Sequence, residues 1–292
     1  MKLSVVIPCL NAADTIAIQL EALANQQWSE PWEVIVSDNG STDGSMDIVK
    51  QYESRLPNLR IVDASTKRGQ AYARNIGAKN TRGESIAFCD ADDEVGPGWL
   101  AAMGKALSQW DFVACRIDVH KLSPPWVAKT RNHSQAVGLQ APRGELAYLP
   151  HAGGGTIGVK RRIHEEVGGF DESCRLLEDT DYCWRVQLRG TTLHFVPDAV
   201  MHVRLRDTLK GSFRQSYSWG QYRVLLYKKY LPLGMPRRTW KQGIDAWKDL
   251  IVGFIRSAPK IRSKGELVPW ARKLGRRMGH LKGSIKYRVL AI

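Results

Sequence analysis

Four short apolar runs, at residues 3–7, 33–37, 59–62 and 85–89, punctuate the first hundred residues, and segments of helical periodicity fill the gaps between them. Residues 15–25 place Ile16, Leu20 and Leu23 on one face behind Asp14, a candidate cap. Residues 44–52 offer Met46, Ile48 and Val49 for burial, and residues 69–80 offer Ala71, Ala73, Ile76 and Ala78. Strand–helix alternation at this pitch predicts an α/β fold, with a mostly parallel sheet covered by helices on both faces. Beyond Pro97 the pattern loosens. It predicts a short helix at 100–107, a strand at 112–117, long loops over 123–155, helices at 159–167 and 178–188, and a late strand at 192–196.

A chain of 292 residues can bury a full core. Its five cysteines (Cys9, Cys89, Cys115, Cys174 and Cys183) show no C-x-x-C spacing and suit buried thiols in a reducing compartment. Residues 3–10 are apolar but short and carry Pro8, so they read as a first strand rather than a secretory leader. No apolar run approaches the ~18 residues of a spanning helix, and the expected location is cytoplasmic. The net charge of +14 is divided unevenly. From Val203 onward there are 22 Lys and Arg against 4 Asp and Glu, whereas the first 202 residues hold 21 against 25. A mildly acidic body therefore carries a strongly basic C-terminal third, which suits an anionic partner surface.

Three constellations carry chemistry. The first, Asp90-Ala91-Asp92-Asp93, follows the fourth apolar run and falls at the carboxyl edge of the expected sheet, where open α/β sheets bind ligands. Carboxylates crowded there repel one another unless a cation lies between them, and hard oxygen donors favour Mg2+ or Mn2+. The second is the turn Asp38-Asn39-Gly40-Ser41-Thr42-Asp43, which suits a ribose or base edge; Arg74 or Arg68 on the following helix suits a diphosphate. In the third, Glu178 and Asp179 open a helix in which Asp181 and Arg185 share a face. They serve either as N-terminal capping charges or, in a cleft, as a general base toward a hydroxyl.

Taken together, Ser4-Val-Val-Ile-Pro8 with Asn11, the turn at 38–43, Ala73-Arg-Asn-Ile-Gly77, Asp90-Ala-Asp92, Gly168-Gly-Phe-Asp-Glu172 and Glu178-Asp179 resemble, in order and spacing, a family 2 glycosyltransferase. The resemblance covers about residues 1–230. It implies a Rossmann-like GT-A fold, a nucleotide-diphospho-sugar donor, a divalent cation (Mn2+ or Mg2+), and inversion at the anomeric carbon. It marks Pro8, Asn11, Asp38, Arg74 and Asp90 as donor-pocket positions, Asp92 and His202 as metal ligands, and Asp179, with Glu178 beside it, as the catalytic base. Asn39 departs from the second acid of many relatives, and its amide cannot accept as a carboxylate does. No Gln-x-x-Arg-Trp motif follows the Glu178-Asp179 helix, which favours transfer of a single sugar.

The expected organisation is a catalytic domain at 1–230, divided into a nucleotide-binding half (1–100) and an acceptor-binding half (101–230), followed by a basic helical tail at 231–292. His151 and the glycines at 153–155 are acceptor-pocket candidates. In the tail, Trp240, Ile244, Trp247, Ile251 and Phe254 recur at helical spacing, as do Trp270, Leu274, Leu281 and Ile285, with lysines and arginines alongside. Basic, Trp-rich amphipathic helices suit an anionic membrane surface, here the inner face of the cell membrane, near a glycan or lipid-linked acceptor of envelope assembly. Two other readings are weaker. A sugar-nucleotide nucleotidyltransferase would carry an N-terminal Gly-rich loop, yet residues 3–16 contain no glycine. A nucleic-acid-binding module leaves the clustered carboxylates without a purpose, so no nucleic acid is expected.

Overall fold

The computed structural model describes residues 1–56, 58–130, 134–140, 148–206 and 208–291. They divide into two compact units, one of residues 1–122, 133–140 and 150–204, the other of residues 123–132, 141–149 and 205–292.

The first unit alternates β1 (Leu3–Cys9), α1 (Ile16–Ala24), β2 (Trp32–Asp38), α2 (Ser45–Lys50), β3 (Leu59–Asp63), α3 (Gln70–Lys79) and β4 (Ser85–Phe88). There follow β5 (Glu94–Val95), α4 (Trp99–Gln109) and β6 (Phe112–Asp118). The short α5 (Pro125–Ala128) belongs to the second unit. The first unit then resumes with β7 (Ile157–Lys160), α6 (Arg161–Val167), α7 (Glu178–Leu188) and β8 (His194–His202). The strands form one eight-stranded sheet in the order β3-β2-β1-β4-β7-β6-β8-β5. β1 to β4 are mutually parallel, β6 and β8 are parallel, and β7 and β5 run antiparallel to their neighbours.

Period-2 alternation sends the strand residues to two cores. Leu3, Val5 and Ile7 pack with Ile16, Leu20 and Leu23 of α1 and with Trp99 and Met103 of α4. Val6, Ile35, Ile86 and Phe88 face the other way, joining Tyr182, Cys183 and Val186 of α7. Burial on both faces is why these strands read as continuous apolar runs. Each such side chain stabilises the fold by roughly 1.5–3 kcal/mol. All five cysteines are buried, and none is joined in a disulfide.

Four expectations are corrected. The helix expected at 159–167 begins at Arg161, because Ile157 to Lys160 pair antiparallel with β4 and β6. The late strand does not stop at Pro197. A register shift opposite Cys115 and Arg116 leaves residues 197–199 out of the ladder, so β8 carries its proline in a bulge and runs on to His202. His202 therefore closes a strand rather than sitting in a loop. Asp14 caps nothing; Thr15 occupies the N-cap of α1, without a side-chain bond. The expected loop region at 123–155 also holds α5 and two 3-10 turns, at Ser134–Ala136 and Gly154–Thr156; residues 131–133 and 141–147 lie outside the described residues.

The second unit also contains α8 (Leu209–Tyr230), α9 (Trp240–Ser257) and α10 (Lys264–Tyr287). Thr239 starts α9 with a capping box to Gln242. Gly275, Gly279 and Gly283 of α10 recur every four residues against α8. A Cβ on Gly275 would lie 2.6 Å from the Phe213 carbonyl oxygen, and one on Gly279 would overlap that of Tyr217, so the two helices touch through their backbones. Among the described residues, no helix is long and apolar enough to cross a membrane.

Candidate active site

Because β1, β2 and β4 are parallel, their carboxyl ends share one edge, and the sequence-predicted residues collect there. Pro8 pairs in register with Ser37, and Cys9 with Asp38. Asn11 adopts a left-handed conformation (φ 51°), its amide N–H donating to Ser41 Oγ at 3.1 Å while its Oδ1 accepts from the Thr42 amide at 2.8 Å. Asp38 Oδ1 accepts from the Ser41 amide at 2.8 Å, which folds the turn back over the strand end. Asn39 points inward. Its Nδ2 donates to the carbonyls of Ala64 (2.5 Å) and Lys67 (2.8 Å), and its Oδ1 accepts from the Gly69 amide at 2.9 Å. A carboxylate could not donate to those two carbonyls, so the departure at this position has a structural cause.

Arg74, on α3, joins the two halves of the site. Its guanidinium is 2% exposed and donates to Asp90 Oδ1 at 2.7 Å and Glu178 Oε1 at 2.8 Å. It lies over the Phe170 ring at 5.4 Å, and that ring stacks on Tyr182. Burial alone would discharge Arg74, but Asp90, Glu178 and Asp179 outweigh it and hold the guanidinium above its ordinary pKa. Gln70 Nε2 also donates to Asp90 Oδ1, at 3.0 Å. Arg68, by contrast, is exposed, its guanidinium close to Gly40 in the turn.

At the start of α7 the helix is entered through Leu177 in the left-handed region, with no side-chain cap. Both acids lie in the first helical turn, where negative charge favours the N-terminus, as the capping reading expects. Glu178 turns to Arg74. Asp179 accepts from the Thr180 amide at 2.6 Å through Oδ1 and from the Gly154 amide at 3.1 Å through Oδ2. Burial and then the neighbouring Asp179 push Glu178 up to about 7. Asp179 is also raised, chiefly by burial, against the opposing pull of Arg74 and the two backbone N–H groups. The expected Asp181–Arg185 pair forms at 2.7 Å.

The glycine run at 153–155 is part of this geometry. A Cβ on Gly154 would lie 2.6 Å from the Arg74 guanidinium carbon, and one on Gly155 would lie 2.7 Å from the Asp90 carboxyl carbon. Only a chain without side chains there lets the backbone touch the Arg74 network and reach Asp179. The loop after α6 is also clipped to α3, since Asn75 exchanges two hydrogen bonds with the Phe170 backbone and donates to Glu172 at 3.1 Å. Sequence reasoning gave Asn75 no role, although its place directly after Arg74 was the available signal.

The carboxylates of Asp90, Asp92 and Asp93 lie within 4.8 Å of one another. Asp93 is buried, and burial followed by Asp90 and Asp92 drives its carboxyl well above the usual carboxylate range. Three crowded hard-oxygen donors, one of them destabilised as an anion, fit a divalent cation. Arg204 holds this turn through its amide to Asp93 Oδ1 at 3.1 Å and its Nε to the Asp92 carbonyl at 3.4 Å. His202 pairs in register with Glu94, two residues beyond Asp92, and its Nδ1 meets Asp118 Oδ2 at 2.8 Å. A carboxylate on one imidazole nitrogen fixes the ring and leaves Nε2 for another partner, the usual backing of a metal-binding histidine.

Two family models match: glycosyl transferase family 2 over residues 4–168, and glycosyl transferase family group 2 over residues 87–257. Glycosyltransferase AglE of Haloferax volcanii is 36% identical over 267 residues, covering 89% of this chain and 84% of that protein. The uncharacterized glycosyltransferase YibD of Escherichia coli is 42% identical over 96 residues, 33% of this chain, so that this chain spans about a quarter (27%) of that relative's length. Among solved structures, the mannosyltransferase PcManGT from Pyrobaculum calidifontis in complex with GDP-Man and Mn2+ matches with a TM-score of 0.62 at 18% identity, over 97% of this chain and 86% of that one. A likeness at that identity speaks for the fold.

Proposed function

This chain belongs to glycosyl transferase family 2 and has the GT-A fold; from that premise we propose that it moves a single sugar from a nucleotide-diphospho-sugar to a hydroxyl of a glycan or lipid-linked acceptor, with inversion. The observation that carries this reading is the buried Arg74 bridge, which ties Asp90 on the donor side to Glu178, and through it to Asp179, on the acceptor side. Pro8, Asn11 and Asp38 line the nucleoside end and Asp90 its ribose. The exposed Arg68 is placed for the diphosphate, while Arg74 serves the donor by fixing Asp90.

Asp179 takes the proton from the acceptor hydroxyl as that oxygen attacks the face opposite the nucleotide, with no covalent enzyme intermediate. Its raised pKa strengthens it as a base near neutrality, and the Gly154 and Thr180 amides aim its oxygens. Glu178 neutralises Arg74 from the other side, so that Asp179 is not drawn into a salt bridge that would quench its basicity. Asp92 and His202, with Asp90 and Asp93 nearby, would hold Mn2+ or Mg2+, which when bound offsets charge developing on the departing diphosphate. We place the reaction in cell-envelope glycan assembly, at the cytoplasmic face of a membrane met by the basic helical unit.

Thermal-shift titration with nucleoside diphosphates and their sugars, with and without Mn2+, tests this. A metal-dependent rise in melting temperature with one base is the expected result. No stabilisation by any nucleoside diphosphate in Mn2+ refutes the donor site.

A further inference from the structure

The wheel of α9 carries more apolar surface than its packing consumes. Gly243, Ala246 and Leu250 form the buried stripe. A second stripe beside it stays in solvent, with Trp240 57%, Ile251 54% and Ile255 63% exposed. This stripe runs into a groove of about 590 Å³ lined by Leu209 and Phe213 of α8, Ile251 and Phe254 of α9, and Trp270 and Leu274 of α10. Among the described residues its lining is almost wholly apolar, with Lys210 as the one charged member. Exposed lysines follow the same helices: Lys241 Nζ lies over the Trp240 ring at 5.9 Å, Lys248 Nζ is 4.0 Å from Asp245, and Lys273 Nζ sits over the Trp270 ring at 4.5 Å.

An open apolar slot with Lys210 in its lining and Lys273 over one of its walls calls for an amphiphile with a hydrocarbon chain and an anionic head. A second copy of this chain answers the slot poorly, since two surfaces with 22 cations against 4 anions from Val203 onward repel each other. We propose that the groove takes one acyl chain of an anionic bilayer phospholipid, its headgroup phosphate held by Lys210, Lys248 and Lys273. The proposal rests on the reading of this unit as membrane-facing and adds to it a defined single-chain site. α9 then lies at headgroup depth, its exposed stripe against the acyl region and its lysine stems extended toward the phosphates.

The test uses the full chain and two probes. The first is partition onto vesicles of phosphatidylcholine alone or with 30% phosphatidylglycerol, the composition being a choice of probe of about the charge of natural membranes. The second is titration with butyl and dodecyl phosphate as monomers. Each methylene buried in the groove tightens binding about fourfold, so dodecyl phosphate should bind at least ~100-fold more tightly than butyl phosphate. Ala271→Trp, which fills the slot, and Ile251→Gln, at an exposed position that leaves folding unaffected, should each erase most of that chain-length preference. Equal affinity for the two alkyl phosphates overturns the groove site; if anionic vesicles still bind, the membrane-facing reading survives it. Failure to partition onto anionic vesicles overturns the bilayer as source, whatever the alkyl phosphates do. A concentration-dependent dimer abolished by Ile251→Gln overturns the proposal in favour of a second copy.

Discussion

In the sheet unit, apolar side chains are spent inward. β1 sends Leu3, Val5 and Ile7 to one core and Val6 to the other, and none of the four exceeds 1% exposure. In the helical unit the closest helix pair meets through glycine, and large side chains such as Ile251 and Ile255 are left in solvent. One region buries its hydrophobic residues and holds the charged groups of the candidate site in place; the other saves buried volume through backbone contact and presents its hydrophobic residues outward. Fold stability and surface function thus draw on the same residue types in opposite directions.

That division can be broken or sharpened by substitution. The largest effect is expected from Asp179→Asn, which should lower the transfer rate by up to ~10⁴-fold while nucleotide-sugar binding and vesicle partition stay near normal. Residual turnover close to wild type in a sugar-transfer assay removes Asp179 from the role of base. Next comes Arg74→Ala. It strands Glu178 as a buried, uncompensated carboxylate, leaves the partly exposed Asp90 with its Gln70 bond, and should destabilise the sheet unit by about 3 kcal/mol in urea denaturation. A loss below ~1 kcal/mol would mean that water reaches the bridge. Gly279→Leu drives a side chain into the Tyr217 carbonyl and should cost about 3 kcal/mol or somewhat less, read as a lowered helical melting transition with nucleotide affinity retained. Parallel loss of nucleotide binding would show that the two units do not act separately.

The smallest effect at neutral pH concerns His164, whose Nδ1 lies 2.9 Å from the Tyr182 hydroxyl. Burial, and secondarily Arg185, lowers its pKa to about 4, from an unfolded value near 6.5. Below 6.5 the unfolded chain takes up a proton that the native state refuses, so this group's contribution is intact above pH 6.5 and lost as pH falls toward 4. Stability should fall by about 2–3 kcal/mol across that window, and His164→Gln should flatten the difference curve. Glu178, raised to about 7, has the opposite sign, its protonated form favouring the native state and that benefit fading as pH rises from 4.5 toward 7. The comparison of variant with wild type separates the two.

The sequence was most informative where a single interaction type dominates. β1, β2 and β4 were legible because burial on both faces leaves nearly continuous apolar runs, and the expected Asp181–Arg185 pair followed from helical spacing alone. The residues around Asp90, Asp92, Glu178 and Asp179 were recognisable as an ordered set, but their wiring was not. Nothing local to Arg74 announces that it will be enclosed between carboxylates 16 and 104 residues away. β7 was missed because four residues interrupted by Gly158 carry no period, and it exists only because β4 and β6 offer edges to pair with. The glycine spacing of α10 was present in the chain, but the exposed apolar stripes beside it drew the reading toward a surface helix rather than a close-packed pair.

The bulge at Pro197 fixes more than the course of one strand. Because β8 skips residues 197–199 opposite β6, the parity of that insertion decides which side of the sheet its last residues face. Loss of one residue there, with the bulge itself kept, would slip the later residues by one against β6, setting His202 opposite Ile117 and turning it away from Asp118. A three-residue irregularity on an inner strand is thus the gauge that sets the histidine's side, and length changes in relatives should avoid it even where its amino acids vary.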